Sequence, residues 1–463
     1  MTQDNTVSYL GVDPSGNNGN HHDEVNSLSS RPASAAVGAV PPAQSRPGTA
    51  AVPPRHGAMP QKSDGCPPGC FVRLDARPMQ RQLLRRASWA DGTLHADTVA
   101  GEELPESASS CGELLWRSLC CLDIVFRAFG QVYFANNPIA GMLMFVGIAI
   151  GSNTYGGLSL LACVSATVSA CAMQQSRRRE STVAWADIID GLYGYDGVLV
   201  GGALDTFIWP MVPDGAVYPA VLIFAFALGG GASAPFVRAM CVRIVRGSGI
   251  PVFTIAFNIV GLTLLYGGTH AAGIGFEATP VSQTHFEDVS NHWRDPMFFV
   301  EAFSRGVSQL CFVENFIGSW FVVAALFFCD FGAAALACTG SICGAVFAVV
   351  FAGAFSPSGR ATHLAVVVAV RRGLFGYNAC AAACVPHIFA LAPADVNRGE
   401  SKIASGIRCA VAAVGISALT TGIQMALSGA MTQPVLTLPF VLASWAVLGA
   451  IGVPAPPAFV APG

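Results

Sequence analysis

Charge is what this sequence has least of. Only 11% of its 463 residues are Asp, Glu, Lys or Arg, less than half the share usual in a soluble globular protein. None occurs between Arg127 and Arg177, between Asp330 and Arg360, or from Cys409 onward. Stretches this long without charge exclude an ordinary water-soluble domain. They hold several membrane passes of about 20 apolar residues each. A net charge of −3 offers nothing to nucleic acid, and the nine histidines form no ligand cluster. The 15 cysteines are scattered, most of them in apolar runs (Cys163, Cys171, Cys338, Cys343) where Cys is a small packing residue. Cys66 and Cys70 form a lone pair without the second ligand pair a metal needs. No cofactor is expected. The polar opening, rich in Pro, Gly, Ser and Asn, lacks the pattern of a secretory signal peptide.

What is present is apolar, and it accounts for 52% of the chain. Hydrophobic segments fall at about 114–135, 139–173, 196–210, 216–236, 251–267, 318–356, 374–393, 404–429 and 434–453. Segments 139–173 and 318–356 are long enough for two passes each. The expected fold is therefore an all-α polytopic membrane protein. Residues 1–112 read as a disordered tail. Within it, the basic segment 71–88 either touches anionic lipid or is a solvated charged tail. Arg85, Arg86 and Ser88 also make a short kinase-like motif. Residues 113–267 and 301–463 read as two channel halves joined by a polar connector, 268–300.

The halves repeat. The phrase Gln131-Val-Tyr-Phe134-Ala-Asn-Asn137 is answered by Gln309-Leu-Cys-Phe312-Val-Glu-Asn315. GLYGYDGVLVG from Gly191 is answered by GLFGYNACAAA from Gly373, and Pro251-Val-Phe-Thr254 by Pro434-Val-Leu-Thr437. The offsets are 178, 182 and 183 residues, and three phrases in one order argue for duplication. Duplicated membrane halves commonly enclose a transport site where they meet. Glycine-rich backbone inside lipid is tolerated where it is buried in protein or lines a cavity. The alternative is close helix packing through glycine.

These phrases resemble those of the urea transporter family. FRAFGQVYFANNPIAG, GLYGYDGVLVGGAL and PVFTIAFN carry the resemblance, with weaker second copies, across most of residues 123–453. The resemblance implies two pseudo-symmetric inverted five-helix halves with tilted re-entrant half-helices around a central pore. It also implies a homotrimer with one pore per protomer, passive urea transport, no enzyme activity, and a multi-pass protein of the plasma membrane with lipid around it. By the same resemblance, Gln131 and Gln309 open the paired pore helices, and Thr254 and Thr437 mark the narrow centre. Phe134, Tyr195 and Leu199 flatten the passage into a slot, with Leu310, Phe312 and Tyr377 at comparable places in the second half. Three positions depart from the family pattern: Asp196 where Asn is usual, Glu314-Asn315-Phe316 in the second copy, and Ala381 in place of a larger apolar residue.

The residue types suit urea. It is flat and neutral, with four N–H donors and one carbonyl, and each hydrogen bond lost on leaving water is costly. Gln oxygens, Thr hydroxyls and helix-end carbonyls supply acceptors, while Phe, Tyr and Leu supply walls. No Lys or Arg lies in the repeated phrases, which argues against ions as permeants. Each residue also has a plainer reading. Gln131 and Gln309 bond neighbouring helices, the threonines bond back to their own helices, and Phe134 and Phe312 are ordinary core or lipid-facing rings. Asp196 is either a proton site or, preferably, an acid at a helix N-terminus; in the second case Asp196→Asn conducts normally.

Other functions stay open at this level: a channel for ammonia, water or small amides, or a non-conducting sensor. The repeated phrases hold no histidine pair for ammonia, and the single Asn-Pro is followed by Ile, against an aquaporin. An intramembrane aspartyl protease needs a second acid in the same setting as Asp196, and neither Asp205 nor Asp330 has that context. The positive-inside rule would put Arg177–Arg179 and the cluster Arg238, Arg243 and Arg246 on the cytoplasmic side, but cations of both halves compete for it, so charge alone does not orient the chain. Arg371, Arg372, Lys402 and Arg408 make the same claim for the other half.

Overall fold

Short repeated glycine turns, rather than long helices, set the architecture around the centre of this protein. A computed structural model describes residues 110–176, 185–212, 216–245, 248, 250–268, 296–355, 360–391, 401–431 and 434–451. The tail 1–109 with its basic segment, Cys66, Cys70 and Ser88, most of the connector 268–300, Arg177–Arg179 and Arg246 lie outside these residues.

Every regular element among the described residues is a helix. They are α1 (Ser110–Gln131), α2 (Pro138–Gly151), α3 (Asn153–Ser176), α4 (Trp185–Ile189), α5 (Gly194–Phe207), α6 (Val217–Ile244) and α7 (Ile255–Thr263). After the connector come α8 (Pro296–Ser308), α9 (Phe316–Cys329), α10 (Phe331–Phe355), α11 (Arg360–Arg371), α12 (Gly376–Val385), α13 (Lys402–Ala430) and α14 (Leu438–Ile451).

Four helices are long and apolar enough to cross a membrane: Asn153–Ser176, Val217–Ile244, Phe331–Ala354 and Ile403–Ala430. At about 1.5 Å per residue, each clears a hydrocarbon layer of about 30 Å. Met297–Cys311 and Phe316–Cys329 form a fifth apolar path, bent by 74° at its break. The expected double pass at 139–173 is a short helix followed by a long one, broken at Ser152; 318–356 breaks likewise at Asp330. The segments at 196–210 and 374–393 centre on α5 and α12, which are short and almost wholly buried.

The outer helices are apolar on the outside. Val217, Val221, Phe224, Leu228, Phe236, Met240 and Ile244 are exposed along α6, and Ile403, Ile407, Val411 and Val414 along α13. Spacings of three, four and eight residues put each set on one stripe. Conversely, the interior holds buried Gln, Asn, Thr, Ser and Arg side chains.

Helices α3 and α6 enclose α5, while α10 and α13 enclose α12 in the same manner. Helix α2 crosses α9 closely: a Cβ on Gly147 would lie 2.7 Å from the Gly318 carbonyl. The repeated Asn starts both crossing helices. Asn137 Oδ1 accepts from the Ile139 and Ala140 amides, and Asn315 Oδ1 accepts from Gly318, each an N-cap of the usual kind.

The repeated Gly-aromatic-Gly phrase has a steric cause. Gly191 and Gly373 take φ of +78° and +79°, a region that disfavours any Cβ. A Cβ on Gly191 would lie 2.7 Å from Ala128 Cα, and one on Gly373 would lie 2.6 Å from the Arg305 carbonyl oxygen. Each phrase thus turns directly against α1 or α8 before its short helix begins.

Candidate functional site

The last repeated phrase of each half brings the halves into contact. Thr254 and Thr437 are buried, and their hydroxyls share a hydrogen bond of 2.7 Å. Each hydroxyl finds its partner in the other half of the chain rather than on its own helix. Asn258, one turn into α7, donates to the Thr254 carbonyl and to Thr437 Oγ1, both at 2.9 Å. Its Oδ1 accepts from the Thr437 amide at 3.1 Å. Three of these four hydrogen bonds cross the joint between halves.

Four bulky residues around this joint take left-handed backbone: Phe134 (φ 60°), Phe253 (50°), Phe312 (54°) and Leu436 (48°). Non-glycine residues in that region are uncommon and cost about 1–3 kcal/mol each. The positions form two repeat pairs, Phe134 with Phe312 and Phe253 with Leu436, at the sequence offsets of 178 and 183. Such strain persists only where surrounding contacts hold it. The Tyr195 hydroxyl donates to the Phe253 carbonyl at 2.5 Å, and the Tyr377 hydroxyl donates to the Leu436 carbonyl at 2.6 Å. Tyr195 and Tyr377 are therefore struts for the turns that carry the two threonines.

Rings close the site on two sides. Phe134 meets Phe389 at 5.4 Å and Phe440 at 6.2 Å between centroids. Phe312 meets Phe207 at 5.8 Å and Phe257 at 6.3 Å. In each cluster, one phenylalanine from a Gln-containing phrase reaches rings of the other half. Phe207 and Phe389 lie 182 residues apart, and Phe257 and Phe440 lie 183 apart, so the crossing is reciprocal. Phe253 joins the first cluster at 5.1 Å from Phe440. Most of these contacts are edge-to-face, the favoured aromatic geometry.

Gln131 and Gln309 are buried and hold matching positions. Their amide nitrogens donate to the Asp190 carbonyl at 2.9 Å and the Arg372 carbonyl at 3.1 Å, just before the two positive-φ glycines. They do not touch the threonine pair through any hydrogen bond described for it. Leu199 and Leu310 are buried in the main core, against which Phe134, Phe312 and Tyr377 pack. Further contacts cross between halves: the Tyr133 hydroxyl donates to the Val307 carbonyl and the Tyr155 hydroxyl to the Cys311 carbonyl.

Sequence reasoning passed over Asn258, Arg238, Phe207 and Phe389. Asn258 stood inside a quoted phrase, but nothing local tied it to Thr437. Arg238 enters the sequence reading only as one of a cluster of cations with Arg243 and Arg246, whereas in the structure it lies within α6 and is 7% exposed. The absence of Arg from the repeated phrases also gave an incomplete picture. From α6, Arg238 reaches the Tyr195 hydroxyl and the Phe253 carbonyl. Asp196 does sit in the first turn of α5, and it also faces Arg238 Nε at 3.4 Å. No cluster of three or more His, Cys, Asp or Glu able to hold a metal occurs among the described residues.

An all-helical protein with membrane-length apolar helices, a polar threonine joint and flanking aromatic rings has the build of a membrane transport protein. Residues 122–450 match the urea transporter family, more than half of the chain, and the chain belongs to that family. It is 27% identical over 145 residues to urea transporter 1 of Mus musculus, covering 30% of this chain and 32% of that protein. Urea transporter 1 of Rattus norvegicus is 26% identical over 145 residues, and that of Ovis aries 27% over 150 residues. These alignments span about a third of each relative's length.

Proposed function

We propose that this protein is a passive, selective channel for urea. The observation that carries this reading is the Thr254–Thr437 contact, set between two reciprocal aromatic clusters in a chain of the urea transporter family. Urea needs acceptors along its edge and apolar walls against its faces. With their nitrogens anchored, Gln131 and Gln309 have side-chain oxygens left to accept from urea N–H groups. The threonine oxygens continue the row: with Thr437 donating to Thr254, each oxygen keeps one lone pair for the permeant. Phe134, Phe312 and the rings they meet form the walls, with Leu199 and Leu310 behind them.

In this reading residues 113–267 and 301–463 are pseudo-symmetric inverted halves. Supporting it are the paired left-handed turns, the paired N-caps and the paired helix enclosures. The protein works as a homotrimer, one pore per protomer, in the plasma membrane, with lipid against the exposed stripes of α6 and α13. Transport follows the urea gradient, and no group in the row performs covalent chemistry.

Purified protein in lipid vesicles tests this directly. Stopped-flow light scattering should show rapid urea entry, with little added water or ammonia permeability. Urea entry equal to that of empty vesicles would end the proposal. Rapid ammonia or water movement without urea would assign a different neutral solute.

A further inference from the structure

The two halves brace the turns beside their threonines with different chemistry. In the second half the brace is neutral. Asn378 Nδ2 donates to Gln424 Oε1 and to the Leu436 carbonyl, both at 3.1 Å. Gln424 Nε2 donates to the Leu374 carbonyl. In the first half, the position matching Asn378 is Asp196, and the carbonyls matching Leu374 and Leu436 are those of Leu192 and Phe253. A single side chain serves both. Arg238 Nε donates to the Leu192 carbonyl at 3.1 Å, Nη1 and Nη2 donate to the Phe253 carbonyl at 3.1 and 3.2 Å, and Nη2 also donates to the Tyr195 hydroxyl. The Tyr195 ring lies under the guanidinium, 4.7 Å from centroid to Cζ.

We infer that Asp196 and Arg238 are one positioning unit, an ion pair standing where the other half uses an amide pair, and that Arg238 sets the selectivity of the Thr254–Thr437 constriction. The geometry explains how. Arg238 ties the Gly191 turn to the left-handed turn at Phe253, the residue before Thr254. It therefore fixes the Phe253 ring and the Thr254 hydroxyl, without itself belonging to the acceptor row. The guanidinium fork reaches three acceptors at once, which a single ammonium cannot do. Asp196 is required for a separate reason: a buried guanidinium without a counter-charge is strongly destabilising. An acid in place of the amide thus follows from an Arg in place of Gln, and neither change is tolerable alone.

The flux arm of the test rests on the urea-channel reading above; the thermal arm does not. Four variants are needed: Arg238→Lys, Arg238→Gln, Asp196→Asn, and the double Asp196→Asn/Arg238→Gln, which rebuilds the second half's neutral chemistry. In vesicles, Arg238→Lys keeps the charge opposite Asp196 but loses the fork. Its urea flux should fall about tenfold, on the scale of losing hydrogen bonds to a charged donor. Methylurea flux should fall less, so the urea-to-methylurea ratio drops. A role confined to folding would lower both fluxes together and leave the ratio unchanged, and that result would overturn the assignment. The melting temperature of the detergent-solubilised protein should fall for each neutralising single variant and recover in the double. Additive losses in the double would show two independent residues and sink the pairing. If wild-type vesicles moved no urea, the channel reading would fail, while the melting cycle would still decide whether Asp196 and Arg238 act as one unit.

Discussion

The hydroxyls of Thr254 and Thr437 meet at 2.7 Å although the residues lie 183 apart in the chain. Asn258 fastens the same joint through one side chain, to the carbonyl of one threonine and to both the hydroxyl and the amide of the other. This polar contact between the repeats is thus built from the most closely repeated phrase.

Thr254→Val or Thr437→Val removes one hydroxyl from this joint with little change in shape. Each should lower urea flux several-fold in vesicles and lower stability by about 1 kcal/mol. Flux indistinguishable from wild type in both variants would take the threonines out of the permeation path.

Asn258→Val copies the residue at the matching place in the second half, Val441. It leaves the buried Thr437 amide without its acceptor. Buried groups left unpaired cost about 1–3 kcal/mol, so a clear fall in melting temperature is expected. No fall would mean that the Asn258 bonds are dispensable.

Gly191→Ala and Gly373→Ala should both fail to fold or lose at least about 2 kcal/mol, since they combine positive φ with contact against backbone. Gly429→Ala is the control, because nothing lies within 4 Å of an added Cβ there. That variant should keep the wild-type melting temperature. Tolerance of Ala at Gly191 would contradict the close approach to α1.

Phe389→Leu and Phe207→Leu each remove a ring that the other half's phenylalanine packs against. If those rings form the walls of a flat passage, methylurea and thiourea should gain relative to urea in the variants. In the wild-type protein, both should compete with urea. A selectivity ratio unaffected by either change would place the rings outside the passage.

The sequence by itself determined the membrane class, the helical fold class and the repeats. Charge-free runs and phrases such as GLYGYDGVLVG are local, and local patterns fix helix length, turn chemistry and burial. Gly191 and Gly373 were legible as a pair for this reason, although the neighbouring helix that forbids a Cβ there was not. The tertiary structure alone decided which atoms meet. Arg238 looked like one of several cations near a helix end, and only the packing of α6 against α5 carries it to Asp196, Tyr195 and Phe253. Phe207 and Phe389 carried no motif, because their role comes from rings in the opposite half. Hydrogen bonds and ring contacts act over a few ångströms, while the residues that make them here are separated by tens to hundreds of positions. Periodicity along the chain carries no information about that distance, and the fold supplies it.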